Sequence, residues 1–386
     1  MLKIGVLGIG NCGNQVALLA NEKLKCPAIA INSSDSDLSM VKSESILKIK
    51  IEKEAGDDGT AKDRDKAKKY LKASIMDIVS TNEQFINTLK DLDVCFIVAS
   101  TGGGTGSGTS LILSKILEQQ FPKIRFVLVA ITPVMDDKLV SHTNTLQFFN
   151  EMREHLPNAT YMVYDNDRYA GISSYKILNK VNEEIVADLE VLRGSYNYNT
   201  RFDAIDREEL KKLVSYPGRL LVVRTMNIKD KDLDKASIED IIIGNIKSNA
   251  HAETQRNKKI TAMGVITNLS ETMMDTFDDN LPAVSEFVGS ADFPFKHIYI
   301  NEDKGMDNNV FILFAGLSSI EDKLSKIIDR TEELRDIRVR EKEESVLDSI
   351  DTKAICDDMK SGDAKEEDQE MQKVDVQGVF NEFGIE

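Results

Sequence analysis

The 386-residue chain lacks several features that would identify other classes of protein. Its four cysteines, Cys12, Cys26, Cys95 and Cys356, are scattered without a CxxC pair, so neither a zinc site nor a disulfide framework is suggested. No stretch approaches the roughly 18 apolar residues that span a bilayer. The N-terminus runs directly into a strand-like segment, Leu2–Leu7, without a signal-peptide layout. These absences predict a soluble, cytoplasmic protein with no membrane partner and no metal ligands of its own.

The chain also has fewer basic than acidic residues. The chain has 49 Lys and Arg against 65 Asp and Glu, a net charge of −16. Nonspecific binding to nucleic acid rests on clustered basic residues, so no direct nucleic-acid partner is expected. The imbalance is uneven: residues 341–386 hold 15 acidic residues and 5 lysines, a net charge of −10. The tail is therefore strongly acidic, and the rest of the chain only mildly so.

The first half alternates short apolar strands with helical stretches, which is typical of a parallel sheet covered by helices in an α/β domain. The predicted strands are Lys3–Leu7, Ala28–Ile31, Val94–Ala99, Phe126–Ile131 and Tyr161–Tyr164. Each is followed by a loop of small polar residues. Because ligands of open α/β sheets bind at the carboxyl ends of the strands, these loops are where we expect a site.

A long helix is predicted over Ser173–Arg193, with apolar residues on one face at steps of three and four. The residues of that face are Leu178, Val181, Ile185, Leu189 and Leu192. A polar loop and a short helix at Glu208–Val214 follow. The second half is expected to form a separate α+β layer, and the chain then ends in a charged helix and an acidic tail. The predicted divisions are 1–172, 173–215, 216–319, 320–350 and a flexible tail, 351–386.

The second half offers fewer signals. Its predicted strands are Leu220–Arg224, Ile260–Thr267, His297–Ile300 and Val310–Gly316, and its predicted helices are Ile238–Ser248 and Leu281–Phe287. The charged helix is expected from Ile320 to about Ser349.

The first glycine loop, Gly8–Gly13, reads GIGNCG between the first strand and a helix predicted at Gln15–Asn21. Such glycines let the backbone approach a pyrophosphate at a helix N-terminus. Taken alone the match is weak. Asp35 and Asp37 follow the second strand, where a dinucleotide enzyme would hold its ribose. An NAD-dependent oxidoreductase and a merely structural turn both remain open at this point.

The second glycine loop, Thr101–Gly108, reads TGGGTGSG between the third strand and a helix predicted at Thr109–Gln119. Its backbone N–H groups and hydroxyls suit several phosphate oxygens. It is not a P-loop, because no lysine follows Gly108. A flexible turn without a ligand is disfavoured, since glycine is costly where nothing demands it. An oxidoreductase has no use for this loop, so the second loop weighs against that alternative.

These motifs together resemble the tubulin/FtsZ superfamily. Gly102–Gly108 is similar to its signature loop, and Asn11–Gln15 is similar to the first nucleotide loop of tubulins. Asn32–Leu38 and Asn166–Arg168 resemble the NTDxxxL and NDR segments of FtsZ. The motifs cover roughly the first 210 residues in the family's order. The resemblance implies a GTPase that binds GTP or GDP, with Mg²⁺ held through the phosphates.

The resemblance also implies the nucleotide contacts. The residues assigned to them are Gly10, Asn11, Cys12, Gly13, Asn14, Asn32, Thr101, Gly102, Gly103, Gly104, Thr105, Gly106, Ser107, Asp137, Asn166, Tyr175 and Asn179. Tyr175 would stack on guanine, Asn179 and Asn14 would contact its edge, and Asp137 would bind ribose. Alternatively, Tyr175 is an ordinary half-buried aromatic residue, and Asn179 and Asp137 are solvated.

Two features depart from the family. FtsZ carries an arginine slightly beyond its ribose carboxylate, and this chain has Ser141 and His142 there, so ribose contacts are expected to differ. The third loop of the family, which senses the terminal phosphate, is rich in glycine and alanine. Here Gly56–Thr60 contains two aspartates. Those carboxylates would repel phosphate unless they point away or hold magnesium through water, and no role is assigned to them.

Hydrolysis needs an oriented water, and neither glycine loop supplies an acidic residue for it. Phe202–Asp206 reads FDAID and resembles the catalytic loop of FtsZ, which inserts into the nucleotide pocket of the neighbouring subunit. By that resemblance Asp206 polarises the water and Asp203 assists, so the partner is a second copy in a head-to-tail filament. Asp206 is alternatively a helix N-cap. A nucleotide-binding adaptor without hydrolysis is disfavoured by the two aspartates.

The charged C-terminal helix resembles the plasmid- and phage-encoded branch of the family, TubZ and PhuZ, more than the bacterial division proteins. This implies segregation or positioning of DNA through a DNA-binding adaptor protein, with an FtsZ-like role in cell division as the alternative. Apolar residues return within Val374–Ile385. They predict docking onto the next subunit or an adaptor, with an incidental frayed end as the alternative.

Overall fold

The computed structural model describes residues 1–51, 58–194, 207–233, 235–254, 257–278, 281–289, 295–301, 308–318, 320–343 and 375–385. Within them the strands are β1 (Ile4–Ile9), β2 (Ala28–Asn32), β3 (Leu47–Lys50), β4 (Val94–Ser100), β5 (Arg125–Thr132), β6 (Thr160–Asp165), β7 (Gly218–Thr225), β8 (Ala262–Asn268), β9 (Phe295–Asn301) and β10 (Asn309–Leu317).

The helices of the first half cover both faces of its sheet. They are α1 (Gly10–Leu24), α2 (Asp35–Ser39), α3 (Arg64–Met76), α4 (Glu83–Leu89), α5 (Thr105–Gln120), α6 (Leu139–His155) and α7 (Ser174–Leu192). The later helices are α8 (Arg207–Leu213), α9 (Asp230–Leu233), α10 (Ile238–Ser248), α11 (Glu271–Met274), α12 (Pro282–Val288), α13 (Glu321–Glu343) and α14 (Val376–Glu382). A π-helical turn lies at Asp77–Thr81 and a 3-10 turn at Asn166–Tyr169.

All the described strands belong to one sheet in the order β3-β2-β1-β4-β5-β6-β7-β10-β8-β9. From β3 to β7 every neighbouring pair is parallel. These strands are apolar on both faces, which is what a sheet covered by helices on both sides requires. The α/β fold class expected from the sequence is therefore confirmed, and the carboxyl ends of β1, β2, β4 and β5 meet at one edge.

The strands of the second half continue the same sheet. β7 pairs with β6 at Thr160–Gly218 and Tyr161–Arg219, which joins the two halves. β10 then pairs antiparallel with β7 and β8. One face of these strands packs on α7 and α8, and the other packs on α10 and α12 in a core cluster of its own. Because both faces are covered, the strands can continue the first sheet.

Other differences are local. The edge strand β3 was not predicted, because Leu47 and Ile49 alternate with lysines over only four residues. Leu178, expected in the buried face of α7, is 43% exposed, and Ile177 takes the buried position about 100° away on the helix. The helices after the two glycine loops begin earlier than predicted, at Gly10 and Thr105. The loops therefore run directly into the first helical turns.

The C-terminal α14 lies against the chain's own first half. Val379, Phe380 and Phe383 are buried in the core cluster that contains α5 and α6, and the Phe383 ring lies 4.3 Å from that of His155. Lys115 of α5 also pairs with Glu382. The apolar end of the tail therefore has an intramolecular partner, whereas the sequence predicted the next subunit or an adaptor. Residues between α13 and α14 are outside the described ranges.

Candidate nucleotide-binding site

A polar cleft of about 530 Å³ lies at the carboxyl ends of β1, β2 and β4. Its volume is in the range of small-molecule sites, about 300–1,000 Å³. The residues predicted to bind nucleotide that line it are Gly10, Asn11, Cys12, Asn32, Gly102, Gly103, Gly104, Thr105, Gly106 and Asp137. The structure therefore brings both glycine loops and the loop after β2 around one opening.

Two helices begin at this cleft. Neither α1 nor α5 has a side-chain hydrogen bond at its N-cap, and neither has an acidic residue in its first turn. Their first N–H groups have no partner within the helix, and the helix dipoles place partial positive charge at these ends. The arrangement suits an anion such as a di- or triphosphate.

The glycines of the cleft meet two different needs. Gly10 has a φ of +73°, and a Cβ there would lie 3.1 Å from the backbone nitrogen of Gly106, so the two loops touch. A Cβ on Gly104 would lie 2.3 Å from Thr60 Oγ1. A Cβ on Gly103 would have nothing within 4 Å. Gly104 is therefore needed for packing of the loops, whereas Gly103 leaves open space in the cleft.

Three side chains that the sequence did not predict for the site hold the loops together. They are Ser33, Thr60 and Asn144. Thr105 Oγ1 lies 2.7 Å from Ser33 Oγ and 3.4 Å from Thr60 Oγ1. Asn144 Nδ2 donates to the carbonyl oxygens of Gly102 at 3.3 Å and Gly103 at 3.2 Å. Ser33 belongs to the segment noted after the second strand, which was a usable signal. Asn144 lies in the middle of α6, and no motif pointed to it.

The comparisons with known proteins agree with this geometry. Residues 3–174 match the tubulin/FtsZ family, GTPase domain.

This region is a tubulin/FtsZ family GTPase domain.

Among curated proteins, the tubulin-like protein TubZ of Clostridium botulinum C phage is 24% identical over 203 residues, which is 52% of each chain. The chain spans about half the length of this curated relative. Two solved structures share the fold. Clostridium botulinum phage c-st TubZ has a TM-score of 0.69 at 19% identity and covers 87% of this chain and 99% of its own. The GTPγS-form protofilament of Bacillus thuringiensis serovar israelensis TubZ has a TM-score of 0.71 at 18% identity, covering 89% and 95%.

Several residues assigned by the family resemblance lie behind the cleft. Asn14 is fully buried, and its amide nitrogen donates to Gly8 O at 2.8 Å and Ile31 O at 3.3 Å in the orientation that satisfies its neighbours. Thr101 is hydrogen-bonded to Thr145, and the Ser107 hydroxyl donates to Gly103 O. A Cβ on Gly13 would lie 2.1 Å from Val98 O. In this structure Asn14, Gly13, Thr101 and Ser107 fix the loops instead of lining the opening.

Tyr175 and Asn179, also assigned to guanine, are not among the residues that line the main cleft. Tyr175, in the first turn of α7, is 74% exposed. Asn179 and Gln15 line a smaller hollow of about 170 Å³ between α1 and α7. In the described part of the chain, Gln15 Nε2 is buried without a hydrogen-bond partner, and so is Asn166 Oδ1 after β6. The structure does not bring Tyr175 over the cleft.

The predicted catalytic residues Asp203 and Asp206 lie outside the described residues. The ends of that segment are described. Arg207 Nε donates to Asp93 Oδ2 at 2.8 Å, just before β4, and Leu2 N donates to Arg193 O at 2.9 Å, just before β1. Both ends of the segment therefore lie at the amino ends of the strands. The cleft lies at their carboxyl ends, roughly 20 Å away at about 3.3 Å per strand residue.

Four charged residues line the cleft in the described part of the chain. They are three carboxylates, Asp37, Asp58 and Asp137, and one cation, Lys62. Asp58 accepts a hydrogen bond from Asp35 N at 2.9 Å. Desolvation raises the pKa of the Cys12 thiol to about 12, so this thiol stays protonated at neutral pH.

His142, in α6, lies near Asp137 of the cleft. Burial lowers its pKa, so the imidazole is neutral at physiological pH. Among the described residues, no group of three or more His, Cys, Asp or Glu is placed to hold a metal ion. None of the described helices is long and apolar enough to cross a membrane.

Proposed function

We propose that this chain binds and hydrolyses GTP and assembles head-to-tail into filaments. The observation that carries the proposal is the position of two functional segments at opposite ends of one sheet. The cleft lies at the carboxyl ends of β1, β2 and β4. Arg207, which follows Asp206 in the sequence, is bound to Asp93 at the amino end of β4. A subunit built this way holds Arg207 roughly 20 Å from its own cleft.

The cleft supplies groups suited to phosphates. The free N–H groups at the starts of α1 and α5 would bind the phosphate oxygens, and Gly103 would let the chain approach them closely. Asp137 would contact the ribose, as the resemblance implies. Mg²⁺ would be held through the phosphate oxygens, and the carboxylates of Asp37 and Asp58 at the rim fit its preference for oxygen ligands. The metal would neutralise charge that develops on the phosphates during hydrolysis.

The hydrolytic step would need two subunits. In the proposed filament, the amino-end surface of one subunit stacks on the cleft of the next. Asp206 would then orient the attacking water on its neighbour's terminal phosphate, and Asp203 would assist it. The arrangement agrees with the protofilament formed by the Bacillus thuringiensis TubZ that shares this fold. Isolated subunits would bind GTP and hydrolyse it slowly.

The cellular task we propose is the movement or positioning of plasmid or phage DNA. Support comes from the phage-encoded TubZ relative and from the TubZ structures that share the fold. The contact with DNA would pass through a basic adaptor protein, because the chain has a net charge of −16.

Two measurements on the purified chain test the proposal. Calorimetric titration with GTP, GDP, ATP and NAD should show binding of the guanine nucleotides in preference to the other two. Negative-stain microscopy should show filaments with GTP or a slowly hydrolysed analogue, and their disassembly as GTP is consumed. Equal affinity for ATP, or binding of NAD, would contradict the assignment to GTP. Absence of polymer at every protein concentration would contradict the filament.

A further inference from the structure

One lysine lines the cleft in the described part of the chain, and no motif of the sequence pointed to it. The signature loop carries no lysine after Gly108. Among the described residues that line the cleft, Lys62 alone carries positive charge. It comes from the loop before α3, which lies about 80 residues from Ser141 in sequence.

Lys62 contacts Ser141 in the first turn of α6 and Asp137 just before that helix. Its Nζ lies 2.5 Å from Ser141 Oγ and 3.3 Å from Asp137 Oδ1. Ser141 is fully buried, whereas the Lys62 side chain is 38% exposed. The ammonium group is therefore held at the rim of the cleft by two oxygen atoms and is still open to a ligand.

The backbone around Lys62 is fixed against the signature loop. The Lys62 carbonyl accepts from Asn144 Nδ2 at 2.9 Å, and the same amide holds the carbonyls of Gly102 and Gly103. Ala61 and Lys62 both have positive φ, 50° and 67°. Consecutive non-glycine residues in this region are strained, and such strain persists where the surroundings impose it, often at ligand sites.

We propose that Lys62 is the phosphate-binding cation of this GTPase domain and distinguishes GTP from GDP. With GTP bound, the ammonium group leaves Asp137 and pairs with the terminal phosphate. With GDP it remains on Asp137 and Ser141. This inference rests on the proposed binding of GTP.

Three variants of the full chain test the assignment, with binding of GDP and of a slowly hydrolysed GTP analogue measured by calorimetry below the assembly concentration. Lys62→Gln should weaken binding of the analogue by about 10- to 100-fold, the range of one charge-assisted hydrogen bond. GDP binding should change by less than about threefold. Lys62→Arg keeps the charge and should recover most of the loss. Lys69→Gln, an exposed lysine of α3 with the same change of charge, should leave both affinities unaltered.

A second measurement uses the unaltered chain and does not depend on folding of a variant. Acylation of lysines followed by mass spectrometry should show Lys62 protected by the GTP analogue and less by GDP, with Lys69 labelled equally in both. Equal losses for both nucleotides in Lys62→Gln, or no loss, would overturn the role of Lys62. Equal labelling of Lys62 in both states would do the same. If the wild-type chain binds no GTP at all, the proposed function fails instead.

Discussion

The two ends of the parallel sheet are built differently. At the carboxyl ends, the cleft is lined mainly by backbone, glycines and hydroxyl groups around an open volume. At the amino ends, the buried carboxylate of Asp93 accepts hydrogen bonds from Lys3 N at 2.7 Å and from Arg207. The first end presents the N-terminal turns of α1 and α5 to a ligand, and at the second end Asp93 is paired with Arg207. This difference agrees with the proposal that one end binds nucleotide and the other contacts a neighbouring subunit.

Helix α7 connects the two ends. Asn179 in its second turn lines the hollow between α1 and α7, and just beyond its last turn the Arg193 carbonyl accepts from Leu2 N at 2.9 Å, before β1. About one turn before its end, the buried Asp188 binds His251 at 2.8 Å, Tyr164 at 2.6 Å and Arg224 at 2.6 Å. These contacts fasten α7 to both halves of the sheet. We therefore expect the helix to act as a rigid spacer between the two ends.

The largest effect is expected from Asp206→Ala, which alters only the segment that precedes Arg207. Hydrolysis should fall by about 1,000-fold, within the usual range for loss of a general base. Binding of GTP should be unchanged and filaments should persist. Asp230→Ala, which removes an exposed carboxylate in α9, is the matched control and should hydrolyse GTP normally. Phosphate release and light scattering give the comparison. A variant with normal turnover would remove Asp206 from the reaction.

Asp188→Asn should weaken the packing of α7 against the sheet. Burial alone would raise the pKa of Asp188, but the hydrogen bond and charge of His251 and the charge of Arg224 lower it, and the net shift is downward. Removal of one member of a buried charged cluster typically costs about 3–5 kcal/mol, and we expect a loss of unfolding free energy of that order at pH 7.

The pH dependence of this loss follows from the lowered pKa. A carboxylate whose folded pKa lies below its unfolded value of 3.8 stabilises the fold above that pH, and the stabilisation is lost as pH falls through the folded pKa. The difference between wild type and Asp188→Asn should therefore shrink below about pH 4. Urea denaturation at several pH values measures it. A difference that stays constant down to acid pH would contradict the ionised state of Asp188.

Substitutions of the adjacent residues Gly103 and Gly104 separate ligand binding from packing at the cleft. Gly103→Val should weaken GTP binding by about 10- to 100-fold, since a side chain in the open volume would displace a contact to phosphate. Its melting temperature should be unchanged. Gly104→Val should lower the melting temperature as well, because its Cβ meets Thr60 and the loop beyond it. Nucleotide titration and thermal melting of both variants provide the test. Equal behaviour of the two would contradict the distinction drawn between them.

The smallest effect is expected from Phe380→Ala. This substitution is in α14, away from both ends of the parallel sheet. A core Phe→Ala change usually costs about 3–5 kcal/mol. We expect only about 1–2 kcal/mol here, because a terminal helix can detach while the rest stays folded. Faster hydrogen exchange confined to α14 and the surface of α5 that it covers would show this. Gln377→Ala, on the exposed face of α14, is the control. A loss of GTP binding would show that α14 acts on the cleft.

Much of this site was predictable because its chemistry is local in sequence. A strand, several glycines and a helix start lie within about a dozen residues in each of the two loops, and periodicity located the sheet. Contacts formed across the fold were not predictable. Lys62 and Asn144 reach the cleft from segments with no motif of their own, and only the packing of α3 and α6 brings them there. The detailed face of α7 was missed because Ile177 and Leu178 are equally apolar.

The tail illustrates the same limit. Its apolar residues predicted a docked segment, and the structure shows one in α14. The surface it contacts could not be deduced, because any exposed apolar face would satisfy the same pattern. Burial of Val379, Phe380 and Phe383 against α5 and α6 defines that surface in this structure.

The central claim is that the hydrolytic site is divided between two subunits. It is tested most directly by the rate of GTP hydrolysis per subunit as a function of protein concentration, measured across the threshold at which light scattering reports polymer. The account predicts very slow turnover below the threshold and a steep rise above it. A rate per subunit that is constant from dilute to concentrated protein would contradict it.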